Sequence, residues 1–188
     1  MTEAAFRRIL FPLVRFLSRI GIAPDMLTVA GWLLSVGSAF LFALGHIQIA
    51  GAMMLAGGIF DALDGAVARE SNRMSRFGAF LDSTLDRLSE SAIFAGIVFF
   101  FASSAAPWAA LLAALAMTFS LLTSYARARA EGLGVECKVG LLERAGRVAI
   151  LSIFSIFGFL ALALALVAAG AAITTAQRIL HVARATRI

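Results

Sequence analysis

Apolar stretches dominate this chain, and the places where they stop are few. They run over 26–45, 48–68, 77–103, 107–126, 141–160 and 162–182, each bounded by Gly, Pro or charge, and each is near the ~20 residues that a helix needs to cross the hydrocarbon of a bilayer. The pattern predicts an all-α integral membrane protein with six transmembrane helices in a bundle over 26–182. The last boundary is the faintest: 148–177 carries no charge, and only Gly158 and Gly170 mark a turn. Ahead of the spans, residues 4–20 place Arg8, Arg15 and Arg19 on one helical stripe, with Phe6, Ile9, Leu10, Leu13, Phe16, Leu17 and Ile20 over much of the remaining surface. This predicts an N-terminal amphipathic interfacial helix over 1–21, kinked or restarted at Pro12. It serves either as a positive anchor or as a gate for lipid access. Gly21 and Pro24 end it, and the segment 24–28 opens the first span with Asp25 as the expected N-cap.

Composition and charge sharpen the picture. With 188 residues, 61% of them hydrophobic, the chain reads as a single domain, 1–188, with more apolar surface than a soluble protein of this size hides. In the six-span reading all 16 Lys and Arg residues fall at one end of the bundle, and the turns at 46–50 and 104–107 carry none. The positive-inside rule then places both termini on the cytoplasmic side of the cell membrane. The net charge of +5 reads as topology and attraction to anionic lipid, with no nucleic-acid partner. Cys137 is the sole cysteine, a loop thiol with no internal disulfide partner. No cleavable signal peptide is expected, since Arg15 and Arg19 interrupt the first apolar run. His46 reads as a solvated loop histidine, and Phe99, Phe100, Phe101 and Trp108 flank the outer turn, where they suit an interfacial aromatic belt but read first as packing residues.

Against this apolar background, residues 61–86 hold four aspartates. Asp61 and Asp64, three apart, share one helical face, and Asp82 and Asp86, four apart, share another. The polar segment 70–75 is short enough to turn the second helix back on the first, which brings the four carboxylates together. Close anions without a cation repel one another, and oxygen ligands suit one or two hard divalent ions, Mg²⁺ or Mn²⁺. Gly65 and Gly78 leave bare patches beside the acids where a substrate or another backbone can approach. Asp61 and Asp64 stand roughly 7–12 Å inside Arg69 at 1.5 Å per residue, near one face of the membrane. Glu90 continues the stripe of Asp82 and Asp86 one turn deeper, as a helix-packing hydrogen bond or a partner of the site.

These residues carry a resemblance. The pattern D-x2-D-G-x2-A-R-x8-G-x3-D-x3-D, complete as Asp61, Asp64, Gly65, Ala68, Arg69, Gly78, Asp82 and Asp86, resembles the signature of the CDP-alcohol phosphotransferases. The segments around Ser124–Glu131 and Gly140–Arg147, and the ending around Gln177–His181, are similar to those of the bacterial phosphatidylinositol phosphate synthases within that family. The resemblance implies a phospholipid-biosynthesis transferase in which an alcohol hydroxyl attacks the β-phosphorus of CDP-diacylglycerol and expels CMP. The implied acceptor is myo-inositol 3-phosphate. Asp61, Asp64, Asp82 and Asp86 would hold the Mg²⁺ or Mn²⁺, with two ions expected, and Asp86 would be the catalytic base. Pro24, Asp25, Thr28, Asp61, Asp64, Gly65, Ala68, Arg69, Ser75, Gly78 and Asp82 would contact CDP-diacylglycerol. Arg127, Arg147 and Arg178 would bind the inositol phosphate, and the assembly would be a homodimer. Asp25 stands where relatives commonly have Asn.

Two other readings stay open on the residues alone. The acceptor could be glycerol 3-phosphate, giving phosphatidylglycerophosphate, because the aspartate motif is shared. The acids could instead be the cation site of a divalent-metal transporter, although such a site belongs near the midplane with access to both faces. For the arginines, a basic loop that enforces topology competes with a phosphate site of planar donors.

Overall fold

A computed structural model describes residues 12–71 and 73–186, and among these every regular element is helical. A short helix over residues 12–19 is followed by α1 (Pro24–Ala43), α2 (Ile47–Glu70), α3 (Arg76–Ser103), α4 (Pro107–Gly132), α5 (Arg144–Ile156) and α6 (Leu160–Ala185). Phe6, Arg8, Ile9 and Leu10, half of the expected interfacial helix, lie outside the described residues. In the part that is described, Val14 is buried against Leu27, Leu63 and Val67, while Leu13, Phe16 and Ile20 are exposed. One side of this helix therefore docks on α1 and α2, and the other offers apolar side chains to its surroundings.

Four helices, α1, α2, α4 and α6, are long and apolar enough to cross a membrane. α3 is the longest at 28 residues, but Arg76, Asp82, Asp86, Arg87 and Glu90 crowd its first half with charge. α5 has only 13 residues, about 20 Å at 1.5 Å per residue, shorter than the expected 141–160. Its start is delayed because the backbone N–H groups of Leu141 and Leu142 already donate to Gln177 Oε1 and Thr174 Oγ1 on α6, each at 2.9 Å. Its end comes at Gly158, whose φ of 82° closes the turn into α6. The N-cap of α1 also differs from expectation. Ala23 takes that position and Pro24 the first helical one, where its missing N–H has no role, so Asp25 falls within the first turn.

Turns at 44–46, 104–106 and 157–159 join helices at one end of the bundle, and the connections at 71–75 and 133–143 join them at the other. α1 packs on α2 and α3, α4 on α3 and α6, and α5 between α2 and α6. The distribution of side chains suits lipid surroundings. Ser38, Thr123, Ser152 and Thr174 are buried beside Phe42, Phe94, Ile97 and Leu164, whereas Leu33, Phe40, Ile49, Phe99 and Trp108 are exposed. Without water to solvate them, small hydroxyls find partners inside: Ser38 Oγ donates to the Ala50 carbonyl at 2.8 Å, and Thr123 Oγ1 to the Ala171 carbonyl at 3.0 Å.

Backbones approach most closely where α3 crosses α1. A Cβ added at Gly96 would collide with the Ala39 carbonyl oxygen, a contact that only a shift of one helix could relieve. Gly96→Ala is therefore expected to destabilise the fold by about 1–3 kcal/mol, the usual cost of overpacking, seen as a lower Tm in detergent. An unchanged Tm would show that α1 and α3 are free to separate.

Candidate active site

The acids converge because the 71–75 connection is tight. Ser75 caps α3 by accepting the Gly78 N–H at 2.8 Å, and α3 then runs back along the bundle with Asp82 and Asp86 in its second and third turns. Asp61, Asp64 and Asp82 each offer a carboxylate oxygen, all within 4.8 Å of one another. Asp86 joins them through a guanidinium: Arg144 Nη1 donates to Asp61 Oδ2 at 2.8 Å, and Arg144 Nη2 lies 2.7 Å from Asp86 Oδ1. Asp64 is 5% exposed, and its Oδ2 is buried with no hydrogen-bond partner. A buried carboxylate oxygen that lacks a donor, set among other carboxylates, is a donor set matched to a hard divalent cation. The residues fit such an ion.

On one side of the acids lies a cavity of 190 Å³. α1 contributes Pro24, Asp25 and Thr28 to its wall, α2 contributes Asp64, Gly65, Ala68 and Arg69, and the start of α3 contributes Ser75, Gly78 and Asp82. The structure thus gathers on one wall ten of the eleven residues expected to contact CDP-diacylglycerol. Asp61 is the exception. It faces a deeper cleft between α1, α2, α3 and α5, together with Asp86, Glu90, Arg144 and Arg147.

A second cavity, of 230 Å³, lies on the other side, lined by Asp86, Arg87, Arg127, Arg144, Arg147 and Arg178 among others. The three arginines expected at an acceptor phosphate do converge there, but each already has protein partners. Arg127 Nε donates to Glu131 Oε1 at 2.9 Å within α4. Arg178 is buried, with Nε on the Val139 carbonyl at 2.9 Å and Nη1 on the Thr123 carbonyl at 2.7 Å. Arg147 is held by Glu90 through Nε at 2.8 Å and Nη2 at 3.1 Å. The segment 133–143, whose last residue Glu143 also lines this cavity, is fastened to α6 by Thr174, Gln177, Arg178 and His181, the last through Nε2 at 2.9 Å from the Glu136 carbonyl.

Arg144 and the Glu90–Arg147 pairing were not singled out from the sequence. The usable signal was spacing: Arg144 and Arg147 are three apart and so share one helical face.

Comparison with known proteins follows the same outline. Residues 21–183 match the CDP-alcohol phosphatidyltransferase family. The archaetidylinositol phosphate synthase of Methanothermobacter thermautotrophicus is 42% identical over 155 residues, 82% of this chain and 75% of that protein. The phosphatidylinositol phosphate synthase of Mycobacterium tuberculosis is 38% identical over 152 residues, 80% of this chain and 70% of that one. A crystal structure of the M. tuberculosis enzyme with CDP-DAG bound superposes with a TM-score of 0.84 at 33% identity, covering 93% of this chain and 94% of that chain. Another, in complex with manganese and citrate, gives a TM-score of 0.81 at 32% identity over 91% and 87% of the two chains.

Binding of Mn²⁺ to the purified protein without substrates reads the acid cluster directly. Asp64→Asn is expected to weaken it about tenfold or more. Arg144→Gln is expected to strengthen it about tenfold, roughly 1.4 kcal/mol, within the ~4 kcal/mol that a unit charge exerts at 4 Å and an effective dielectric of 20. Both are measurable from the free Mn²⁺ signal in electron paramagnetic resonance. Weaker binding in Arg144→Gln would mean that the guanidinium holds the acids in register more than it opposes the ion.

Proposed function

This chain belongs to the CDP-alcohol phosphatidyltransferase family, and we propose that it transfers the phosphatidyl group of CDP-diacylglycerol to myo-inositol 3-phosphate, releasing CMP and forming phosphatidylinositol phosphate. The observation that carries the reading is the position of the acids between two cavities. Asp64 and Asp82 line the one walled by the glycines of the motif, and Asp86 lines the one walled by arginines. A nucleotide-linked lipid on the first side and a phosphorylated alcohol on the second would meet at the carboxylates.

Asp61, Asp64, Asp82 and Asp86 would hold the divalent cation, Mg²⁺ or Mn²⁺ and two ions in this reading. Such an ion would supply positive charge to the diphosphate and to the oxygen of the departing CMP. The chain's own groups do the rest. Gly65 and Gly78 admit the nucleotide close to the backbone, with Arg69 beside it as a donor to phosphate. The arginines of the second cavity orient the acceptor so that its hydroxyl faces phosphorus. Asp86 takes the hydroxyl proton as the new P–O bond forms and the bond to CMP breaks. Its Oδ1 lies against Arg144, while Oδ2 is 3.7 Å from Arg87 Nη1, beyond hydrogen-bond reach. Oδ2 would be the oxygen that accepts that proton.

As a multi-pass membrane enzyme, the protein would carry six spans, with α3 and the short α5 completing the four apolar helices, and both termini and the acids on the cytoplasmic side of the cell membrane. A homodimer is also proposed. Ser83, Thr84, Arg87, Leu88 and Ser91 of α3, with Ala128 of α4, line a depression at the surface that such a contact would cover.

Two experiments test the reaction. Purified protein with CDP-diacylglycerol, offered inositol phosphate, inositol, glycerol 3-phosphate or serine, is expected to release CMP fastest with inositol phosphate; a preference for glycerol 3-phosphate would reassign the product to phosphatidylglycerophosphate. Asp86→Asn is expected to lower kcat by about 10²-fold or more, the scale of general base catalysis, with Mn²⁺ binding retained in part. Near wild-type turnover would give the proton to another group.

A further inference from the structure

Glu90 has no place in the motif and yet is the carboxylate most completely spoken for. It lies four residues beyond Asp86 on α3, on the same helical face, and is 8% exposed. Arg147, in the first turn of α5, is 2% exposed. The pair is bidentate, with Nε on Oε1 at 2.8 Å and Nη2 on Oε2 at 3.1 Å. Ser124 Oγ, from α4, stands 3.4 Å from the same Nη2. No acceptor among the described residues takes Arg147 Nη1, and Arg147 lines the cavity that also holds Asp86.

Stability alone is a weak reason for such a pair. Removing two charges from water costs as much as or more than their attraction returns, and apolar side chains of similar size would hold α3 to α5 equally well. What a bidentate pair adds is geometry: two parallel N–H···O bonds fix the plane of a guanidinium that would otherwise rotate about its flexible stem. Fixing Nε and Nη2 also fixes where Nη1 points.

We propose that Glu90 is a positioning residue for the acceptor: by clamping Nε and Nη2 of Arg147, it sets that guanidinium so that Nη1 remains to bind the acceptor phosphate beside Asp86. The proposal rests on the reading of the arginine-lined cavity as the acceptor site. It also divides labour along α3, where Asp86 serves the hydroxyl of the acceptor and Glu90, one turn deeper, serves its phosphate through Arg147.

A double-mutant cycle tests it, with Glu90→Gln, Arg147→Lys and the double variant measured for KM of inositol phosphate, KM of CDP-diacylglycerol, kcat and Tm in detergent. Glu90→Gln keeps the size of the side chain and loses one charge-assisted bond, so the acceptor KM is expected to rise about tenfold, with the CDP-diacylglycerol KM unchanged. In the Arg147→Lys background, where the planar fork is gone, the same substitution should change the acceptor KM by no more than about twofold, the scatter of non-interacting effects. A fall in Tm with an unchanged acceptor KM would make the pair a helix staple and overturn the proposal. So would a full, additive effect of Glu90→Gln in the Arg147→Lys background. Should Glu90→Gln not fold, Glu90→Asp, which keeps the charge but withdraws it by one methylene, carries the same expectation and the same refutation. If the wild type uses free inositol as well as it uses inositol phosphate, the acceptor reading fails and this proposal falls with it; if it requires the phosphate and Glu90→Gln leaves the acceptor KM unmoved, only this proposal fails.

Discussion

Anions placed in an apolar bundle need counter-charges, and much of this fold can be understood as supplying them. Asp61, Asp64, Asp82, Asp86 and Glu90 sit on two helices that are otherwise rich in Ala, Gly, Phe and Leu. Each would cost several kcal/mol if left charged and unpaired in hydrocarbon. The protein's own answer comes from α5, whose first turn presents Arg144 to Asp61 and Asp86, and Arg147 to Glu90. Cations at a helix N-terminus oppose the helix dipole, so their placement there makes sense only through what they face. It also accounts for α5 beginning where it does. The chain is held by α6 up to Leu142 and turns helical as soon as the arginines reach the acids.

This pairing orders the site laterally. Arg144 spans the gap between α2 and α3 and reaches both cavity systems, since it lines the deep cleft with Asp61 as well as the arginine-walled cavity with Asp86. Asp64 remains without a donor to its Oδ2, on the side away from α5 and next to the glycine-walled cavity. Internal cations therefore cover the acids on the side of the arginine-walled cavity, and the side of the glycine-walled cavity is where an external cation finds the greatest unmet demand. The polar contacts of α6 serve the same arrangement at one remove. Thr174, Gln177 and Arg178 hold the 133–143 segment in place, and that segment sets the position from which α5 starts.

The portion of this that could be read in the sequence was the portion governed by local periodicity. The spacing of Asp61 with Asp64 and of Asp82 with Asp86 gives shared helical faces, and the short connection at 71–75 brings those faces together. The wall of the 190 Å³ cavity follows from the same two helices and the start of α1. What escaped depended on how α5 docks. Arg144 meets Asp61 across 83 residues of chain and Arg147 meets Glu90 across 57, and no local pattern encodes either pairing. α5 starts later than the apolar pattern predicts, because Leu141 and Leu142 read as span while their backbone N–H groups are committed to α6. Asp25 has a side chain that suits a cap, but Pro24 takes the first helical position and leaves the cap to Ala23.

The same geometry bears on cation transport as a rival account of the acids. A permeating ion needs ligands that release it and a path that does not meet a fixed positive charge. Here a guanidinium rests within hydrogen-bond distance of two of the four aspartates, and the deep cleft beyond them is lined by Arg147 as well as Arg144. Past that level the bundle closes on Phe42, Phe94, Ile97, Leu151 and Leu164, all with 2% exposure or less, and the buried Ser38 and Ser152 among them spend their hydroxyls on backbone carbonyls. The acids are open laterally, toward two cavities that differ in their walls: glycines and α1 on one side, arginines on the other. Access of that kind has little use for an ion that must cross the membrane. It suits two substrates that enter from different directions and meet at a row of carboxylates near one end of the bundle.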